Sequence, residues 1–262
     1  MRQDYHFTPY IAELFNTLTN ITYVALGFNG LANSRRLGES FGSKLPFIAL
    51  INLGFASSLF HSSLKYPMQL ADEFSMLIAT FIVFYRLLCF AQQRFSPSFL
   101  FVGLCALMAV VVVAQVITGE STVQQIVFTF MVYWLWHICF KLIGKVDDLV
   151  LGRKMRLMAI SGIALFISGH ACWATDFHAC NGLRQMRRTV GMPWAALLEL
   201  HGWWHILTGI GVYIFMSLVE CLRIAKSTKE NDDLTVSSAG IWPFMVYLEK
   251  ISSRDSRSKK MA

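Results

Sequence analysis

Charge is what this 262-residue sequence has least of. Only 15% of its residues are Asp, Glu, Lys or Arg, against about 25% in a soluble domain. That is too little to cover the surface of a globule of this size. Intrinsic disorder and a coiled coil, both of which need abundant charge, are excluded as well. Acidic residues are the scarcer sign, 16 against 23 basic ones, for a net charge of +7 and a pI near 9.2. Such a balance invites a nucleic-acid reading. Here, however, the Lys and Arg residues stand in the gaps between long apolar runs, so no nucleic-acid partner is expected. Cysteine is sparse and has no CxxC spacing, which excludes a structural zinc ribbon or a redox motif. Cys89, Cys105, Cys139, Cys172 and Cys221 fall in or beside apolar runs and read as packing residues, whereas Cys180 lies in a connection. No internal repeat stands out. No charged segment followed by a compact apolar one opens the chain, and no cleaved signal peptide is expected.

What is present is apolar: 55% of the residues, with a mean hydropathy of +0.50. A helix crossing the hydrocarbon core needs about 20 largely apolar residues. Seven stretches meet that demand, at 10–33, 45–64, 69–90, 98–118, 122–143, 155–175 and 194–221. The expected fold is therefore an all-α membrane protein, a seven-transmembrane helix bundle. The first span is the weakest, interrupted by Glu13, Asn16, Thr17, Thr19, Asn20 and Thr22. The stretch 241–248 is too short to span and is expected on the surface or docked against the bundle. Residues 1–9 form an N-terminal segment, 10–249 the bundle domain and 250–262 a basic tail that reads as disordered. With the N-terminus luminal and the C-terminus cytosolic, 18 of the 23 basic residues face the cytosol, as the positive-inside rule requires. The tail ends in Lys259-Lys260-Met261-Ala262, which has the form of a dilysine retrieval signal. It points to the endoplasmic reticulum, with the Golgi as the alternative.

Ionisable groups inside spans cost roughly 2.5–3.5 kcal/mol each and are functional candidates by default. In the derived orientation they gather towards the luminal side. Ser57 and His61 close the second span; Asp72 and Glu73 open the third; Asp176 ends the sixth; Glu199, His201 and His205 open the seventh; and Glu13 opens the first. His201 and His205, four apart in HGWWH, share one helical face. With His61 they make three imidazoles and an open position, the arrangement of a catalytic zinc. His137 and His170 read as packing residues. Asn20-Ile21-Thr22 matches a glycosylation acceptor but lies inside the first span and is discounted.

The same residues resemble the alkaline ceramidase family. YIAELFNTLTN is similar to that family's YIAExxNTxSN signature. SSLFHSSLKYPMQLADE resembles its Ser-x-x-x-Phe-His segment followed by Tyr-x-Met-Gln-Leu-x-Asp-Glu. HGWWHILTGIG resembles HxxWHxLTGxG, and AGIWP another family block. The resemblance implies that His61, His201 and His205 hold zinc, and that Ser57 and Asp72 act around it. It implies a ceramide-type lipid substrate, cleaved among membrane lipids into a sphingoid base and a fatty acid. Asp72 is expected to take a proton from water and return it to the leaving amine, and Ser57 to donate to the developing oxyanion. The resemblance also implies a luminal calcium site that would include Glu13, and it gives Cys180 a disulfide partner further upstream. Here the sequence departs from the pattern: the acidic segment expected upstream of the first span is missing. Only Asp4 and Glu13 remain as candidate calcium ligands, so calcium binding is expected to be weak or absent. The rival readings are a seven-span receptor, as in the related adiponectin-receptor-like proteins, and a transporter lined by His and acidic residues. A receptor or transporter in general needs no stoichiometric metal. The adiponectin-receptor-like proteins, by contrast, use a similar zinc arrangement with the opposite membrane orientation, which disfavours them here.

Overall fold

The computed structural model describes residues 10–91 and 94–226, together with the backbone of 227–230, 234–242 and 245–252. Asp4 and the Lys259-Lys260 pair lie outside the described residues. The chain folds as α1 (Leu14–Thr19), α2 (Ile21–Arg36), α3 (Phe41–Ser63), α4 (Tyr66–Ala91), α5 (Pro97–Thr118) and α6 (Thr122–Ile143). Then come α7 (Leu149–His178), α8 (Cys180–Val190), a short 3-10 turn (Trp194–Leu198) and α9 (Leu200–Glu230). After the helices, the backbone of β1 (Leu234–Trp242) pairs antiparallel with β2 (Met245–Ser252), so the segment 241–248 expected near the surface includes the end of one strand and the start of the other.

Among the described residues six helices are long and apolar enough to cross a membrane: α3, α4, α5, α6, α7 and the part of α9 up to Lys226. This is the architecture of a multi-pass helical membrane protein. A bilayer offers no water to unpaired backbone groups, so apolar runs of this length become helices. Their outer faces stay apolar: Phe99, Val102, Val110, Val113 and Ile117 of α5 are all exposed.

The first expected span divides into α1 and α2 at Asn20, and side chains explain the division. The Asn16 carbonyl accepts from Asn20 Nδ2 (2.9 Å), Thr19 Oγ1 (3.1 Å) and His205 Nδ1 (3.1 Å). The Asn20 N–H turns instead to the Leu18 carbonyl. Asn20 is fully buried, out of reach of any glycosylating enzyme. The last expected span also starts later than its hydropathy suggests. Residues 194–198 form the 3-10 turn, and the long helix begins at Leu200.

Helix α9 runs through the middle of the bundle, with Tyr213, Met216, Leu218 and Val219 at most 1% exposed. It meets α7 at van der Waals contact through glycines. A Cβ on Gly211 would sit 2.9 Å from the Gly162 carbonyl oxygen, and one on Gly169 would sit 2.9 Å from Thr208 Cγ2. Without a hydrophobic drive between helices in lipid, such close backbone approach is what holds them.

Two polar networks brace the bundle away from the histidines. At the end opposite to them, Arg86 of α4 donates to Glu220 of α9 (Nη2–Oε1 2.6 Å) and to Ser43 of α3 (3.1 Å). Arg223 bonds the other Glu220 oxygen (2.9 Å) and also pairs with Glu39. Near the histidine end, Glu73 of α4 accepts from Gln69 (2.9 Å) and from buried Gln115 of α5, while buried Gln124 of α6 donates to the Glu73 carbonyl (3.4 Å).

Candidate metal centre

His61 occupies the last full turn of α3, and His201 and His205 lie in the first two turns of α9. The two helices bring the three imidazoles together. Ring centroids are 4.9 Å apart for His61–His201, 4.8 Å for His61–His205 and 4.8 Å for His201–His205. One potential ligand atom from each lies within 4.8 Å of the other two. Three atoms that close share a centre no farther than about 2.8 Å away, 4.8 Å divided by √3, which approaches the 2.0–2.1 Å of a Zn–N bond. The set fits a divalent metal by its donors as well: two buried imidazoles and one half-buried.

The protein also fixes which nitrogen faces the centre. Glu13 Oε2 lies 2.7 Å from His61 Nδ1. An ionised carboxylate only accepts, so His61 donates through Nδ1 and keeps the Nε2 lone pair. Glu13 is itself held by Asn16 Nδ2 at 3.0 Å. His205 Nδ1 faces the Asn16 carbonyl at 3.1 Å and Thr19 Oγ1 at 3.0 Å, so its Nε2 too is the free acceptor. A metal-binding histidine oriented by a carboxylate or carbonyl on its far nitrogen is a recurrent feature of metal sites.

The backbone makes this possible. The Ala12 and Glu13 N–H groups bond the Ser62 and His61 carbonyls, both at 3.0 Å. These are carbonyls that the C-terminal end of α3 would otherwise leave unpaired. The extended residues before α1 are thereby tied to the end of α3, which carries the Glu13 carboxylate to the imidazole. Helix α3 then stops at Leu64, whose φ of +50° is rare for a branched residue. Its N–H bonds the Phe60 carbonyl, and only Leu64 and Lys65 separate α3 from α4.

That tight turn brings α4 back alongside α3. Buried Ser57, one turn before His61, lies beside the Asp72 carboxylate, which is near enough to His61 to interact with it electrostatically. All five residues expected at the catalytic centre are therefore grouped at one end of the bundle. Glu13 joins them through His61, 48 positions away in sequence. His137 and His170 stay apart, in ring contacts with Tyr133 and Trp134 and with Trp173 and Trp204 respectively. None of the six cysteines forms a disulfide among the described residues, Cys180 included.

A cavity of about 640 Å³ opens onto His61 and His201. Aromatic side chains of Phe15, Phe60, Trp173 and Phe177 line it, as do Arg184, Arg187 and Arg188 of α8. Arg187 forks between Asp176 at the end of α7 (3.1 Å) and Glu199 just before α9 (2.8 Å). The sequence marked Asp176 and Glu199 as costly luminal groups but left Arg187 as one charge among several. Its sign and its place between two carboxylates were the available clue.

Fold and site together define a multi-pass helical membrane protein with a buried three-histidine centre suited to a metal ion. Residues 2–248 match the profile of the ceramidase family, and the chain belongs to that family. It is 31% identical to alkaline ceramidase YPC1 of Saccharomyces cerevisiae over 270 residues, covering 95% of this chain and 82% of the relative. It is 26% identical to alkaline ceramidase 3 of Mus musculus, covering 81% of this chain and 78% of the relative. An alkaline ceramidase of Arabidopsis thaliana is 24% identical, covering 80% of this chain and 77% of the relative.

Proposed function

We propose that the protein is a zinc-dependent intramembrane amidohydrolase that cleaves ceramide, or its dihydro or phyto forms, into a sphingoid base and a fatty acid in sphingolipid metabolism. The observation that carries this reading is the convergence of His61, His201 and His205 beside the Ser57–Asp72 pair, in a chain of the ceramidase family. An amide is a poor electrophile, and zinc held by three neutral imidazoles supplies the missing Lewis acidity, polarising the carbonyl and making hydroxide accessible near neutral pH.

The chain's own residues do the rest. Glu13, Thr19 and the Asn16 carbonyl hold two imidazoles in the ligating tautomer. Asp72 takes a proton from the attacking water and passes it to the departing amine. Ser57 donates to Asp72 while that carboxylate is ionised. Once Asp72 is protonated it accepts less strongly, and the Ser57 hydroxyl turns to the developing oxyanion. A donor so placed is worth about 10²–10³ in rate. The acyl chain lies among the apolar helices. This reading assigns Glu13 to the histidine centre rather than to calcium, since its Oε2 already serves His61 and Asn16.

In this reading α1 and α2 together make a seventh span. Their 23 residues, 14–36, rise about 34 Å, enough for the hydrocarbon core. The N-terminus is luminal, the C-terminus cytosolic, and the protein resides in the endoplasmic reticulum.

The test is hydrolysis of a ceramide panel by purified protein, with metal analysis of the same sample. About one zinc per chain and chelator-sensitive release of fatty acid are expected. Asp72→Asn abolishes release while zinc content stays near wild type, whereas His61→Ala and His201→Ala lose both. Turnover near wild type in Asp72→Asn defeats the proton-transfer role. Stoichiometric binding of a ligand with neither metal nor turnover points to a receptor.

A further inference from the structure

We infer that the arginine wall of the cavity is a binding subsite for the carboxylate released at the histidine floor. The inference rests on the hydrolytic reading above and adds a place for its anionic product. Arg184, Arg187 and Arg188 stand at i, i+3 and i+4 on α8, one helical face, and all three line the cavity that also contains His61 and His201. Arg187 is held in place by two carboxylates, Nη1 on Glu199 at 2.8 Å and Nη2 on Asp176 at 3.1 Å. Its Nε is buried and has no hydrogen-bond partner among the described residues, an unsatisfied donor on a guanidinium that lines the cavity.

The charges around the wall divide unequally. Of the cavity's three carboxylates, Glu13 serves His61, and Asp176 and Glu199 are engaged by Arg187, with Arg184 also close to Asp176. Arg188 is exposed on the same wall. Phe60, Trp173 and Phe177 add an apolar surface to the same cavity. The site thus combines guanidinium groups with a strip that an alkyl chain can follow.

The reaction creates the matching ligand. Water oxygen bonds to the acyl carbon, the C–N bond breaks, and both protons of the water end on the nitrogen. The uncharged amide becomes a carboxylate and an ammonium. Guanidinium forks bind carboxylates in two-point geometry. The same wall repels the ammonium. Before cleavage the amide offers the arginines no opposite charge; afterwards one product is drawn towards α8 and the other is not.

The shared chemistry is an anionic head on an alkyl chain, which an anionic lipid headgroup would also satisfy. The probe is a brominated long-chain fatty acid, which quenches Trp173 fluorescence on contact, added to the full-length zinc-loaded protein in nanodiscs; Trp173→Phe supplies the background. The carboxylate should bind about tenfold more tightly than the brominated alcohol of equal length, and Arg184→Gln/Arg188→Gln should remove that preference. Neither side chain is buried, so a folded variant is expected, and its zinc content verifies this. Equal affinity for acid and alcohol overturns the subsite, as does a preference undiminished in the double variant. Displacement of the fatty acid by phosphatidylserine in the nanodisc makes it a headgroup site and overturns the product assignment. Hydrolysis without selective carboxylate binding removes the subsite and leaves the hydrolase; selective binding without hydrolysis of any ceramide removes the product assignment along with the hydrolase.

Discussion

His61 and His205 each commit Nδ1 to a fixed acceptor, which leaves Nε2 directed at the centre. A carboxylate on the far nitrogen both fixes the tautomer and strengthens the imidazole as a ligand. Glu13→Ala should therefore weaken zinc binding by about 10–100-fold in competition with a chelator. Glu13→Gln keeps an acceptor for Nδ1–H and should lose much less. Equal losses in the two variants would show that the negative charge, rather than the hydrogen bond, matters. The four-residue spacing of His201 and His205 was legible in the sequence, because helical periodicity alone puts them on one face. The Glu13–His61 bond was not. It depends on two backbone hydrogen bonds between the approach to α1 and the end of α3, and hydropathy carries no trace of such bonds.

The helices owe their pairing to small residues more than to any ion pair. Gly162 and Gly169 of α7 face Gly211 and Thr208 of α9 at distances where no side chain fits. Gly211→Leu should push the two helices apart, cost about 1–3 kcal/mol and disturb the start of α9, which carries His201 and His205. Gly103→Leu on α5, with nothing within 4 Å of the new Cβ, is the control. Comparison of melting temperatures and zinc content between the two variants tests the claim; equal melting temperatures would refute it. Span counting located α3, α4, α5 and α6 to within a few residues, because it depends on summed local composition, but it missed the ends of α7 and α9 by up to nine. It did not foresee α8, which is too short and too basic to register as a span. Nor did it foresee the break at Asn20, caused by side chains competing for the Asn16 carbonyl.

Among the described residues, the main charged networks of the bundle gather at two ends. The metal centre and its cavity occupy one end, and the Arg86–Glu220–Arg223–Glu39 network occupies the other. Glu220→Ala leaves two buried or half-buried guanidinium groups without their shared carboxylate and should destabilise by about 3–5 kcal/mol. Since Glu220 lies about five turns of α9 from His201, zinc affinity of the folded fraction should not change. A loss of affinity would show that the two ends are coupled. The proposed orientation has its own test. A glycosylation tag inserted between α5 and α6, at 119–121, should be modified in endoplasmic reticulum membranes, and one between α6 and α7, at 144–148, should not. The opposite pattern would invert the topology.

By itself the sequence determined the environment and the chemical ingredients. Long apolar runs must become helices where backbone groups have no water to turn to, and the few polar groups that interrupt them are too costly to be incidental. Composition and periodicity act locally, so a one-dimensional reading captures them. Only the tertiary structure decided the partnerships: Glu13 with His61, the Asn16 carbonyl with His205, Arg187 between Asp176 and Glu199, and Arg86 with Glu220. The last of these joins residues 134 positions apart and the second joins residues 189 apart. A hydrogen bond forms only within about 3 Å, and at those separations proximity is set by how helices pack, which no local pattern encodes.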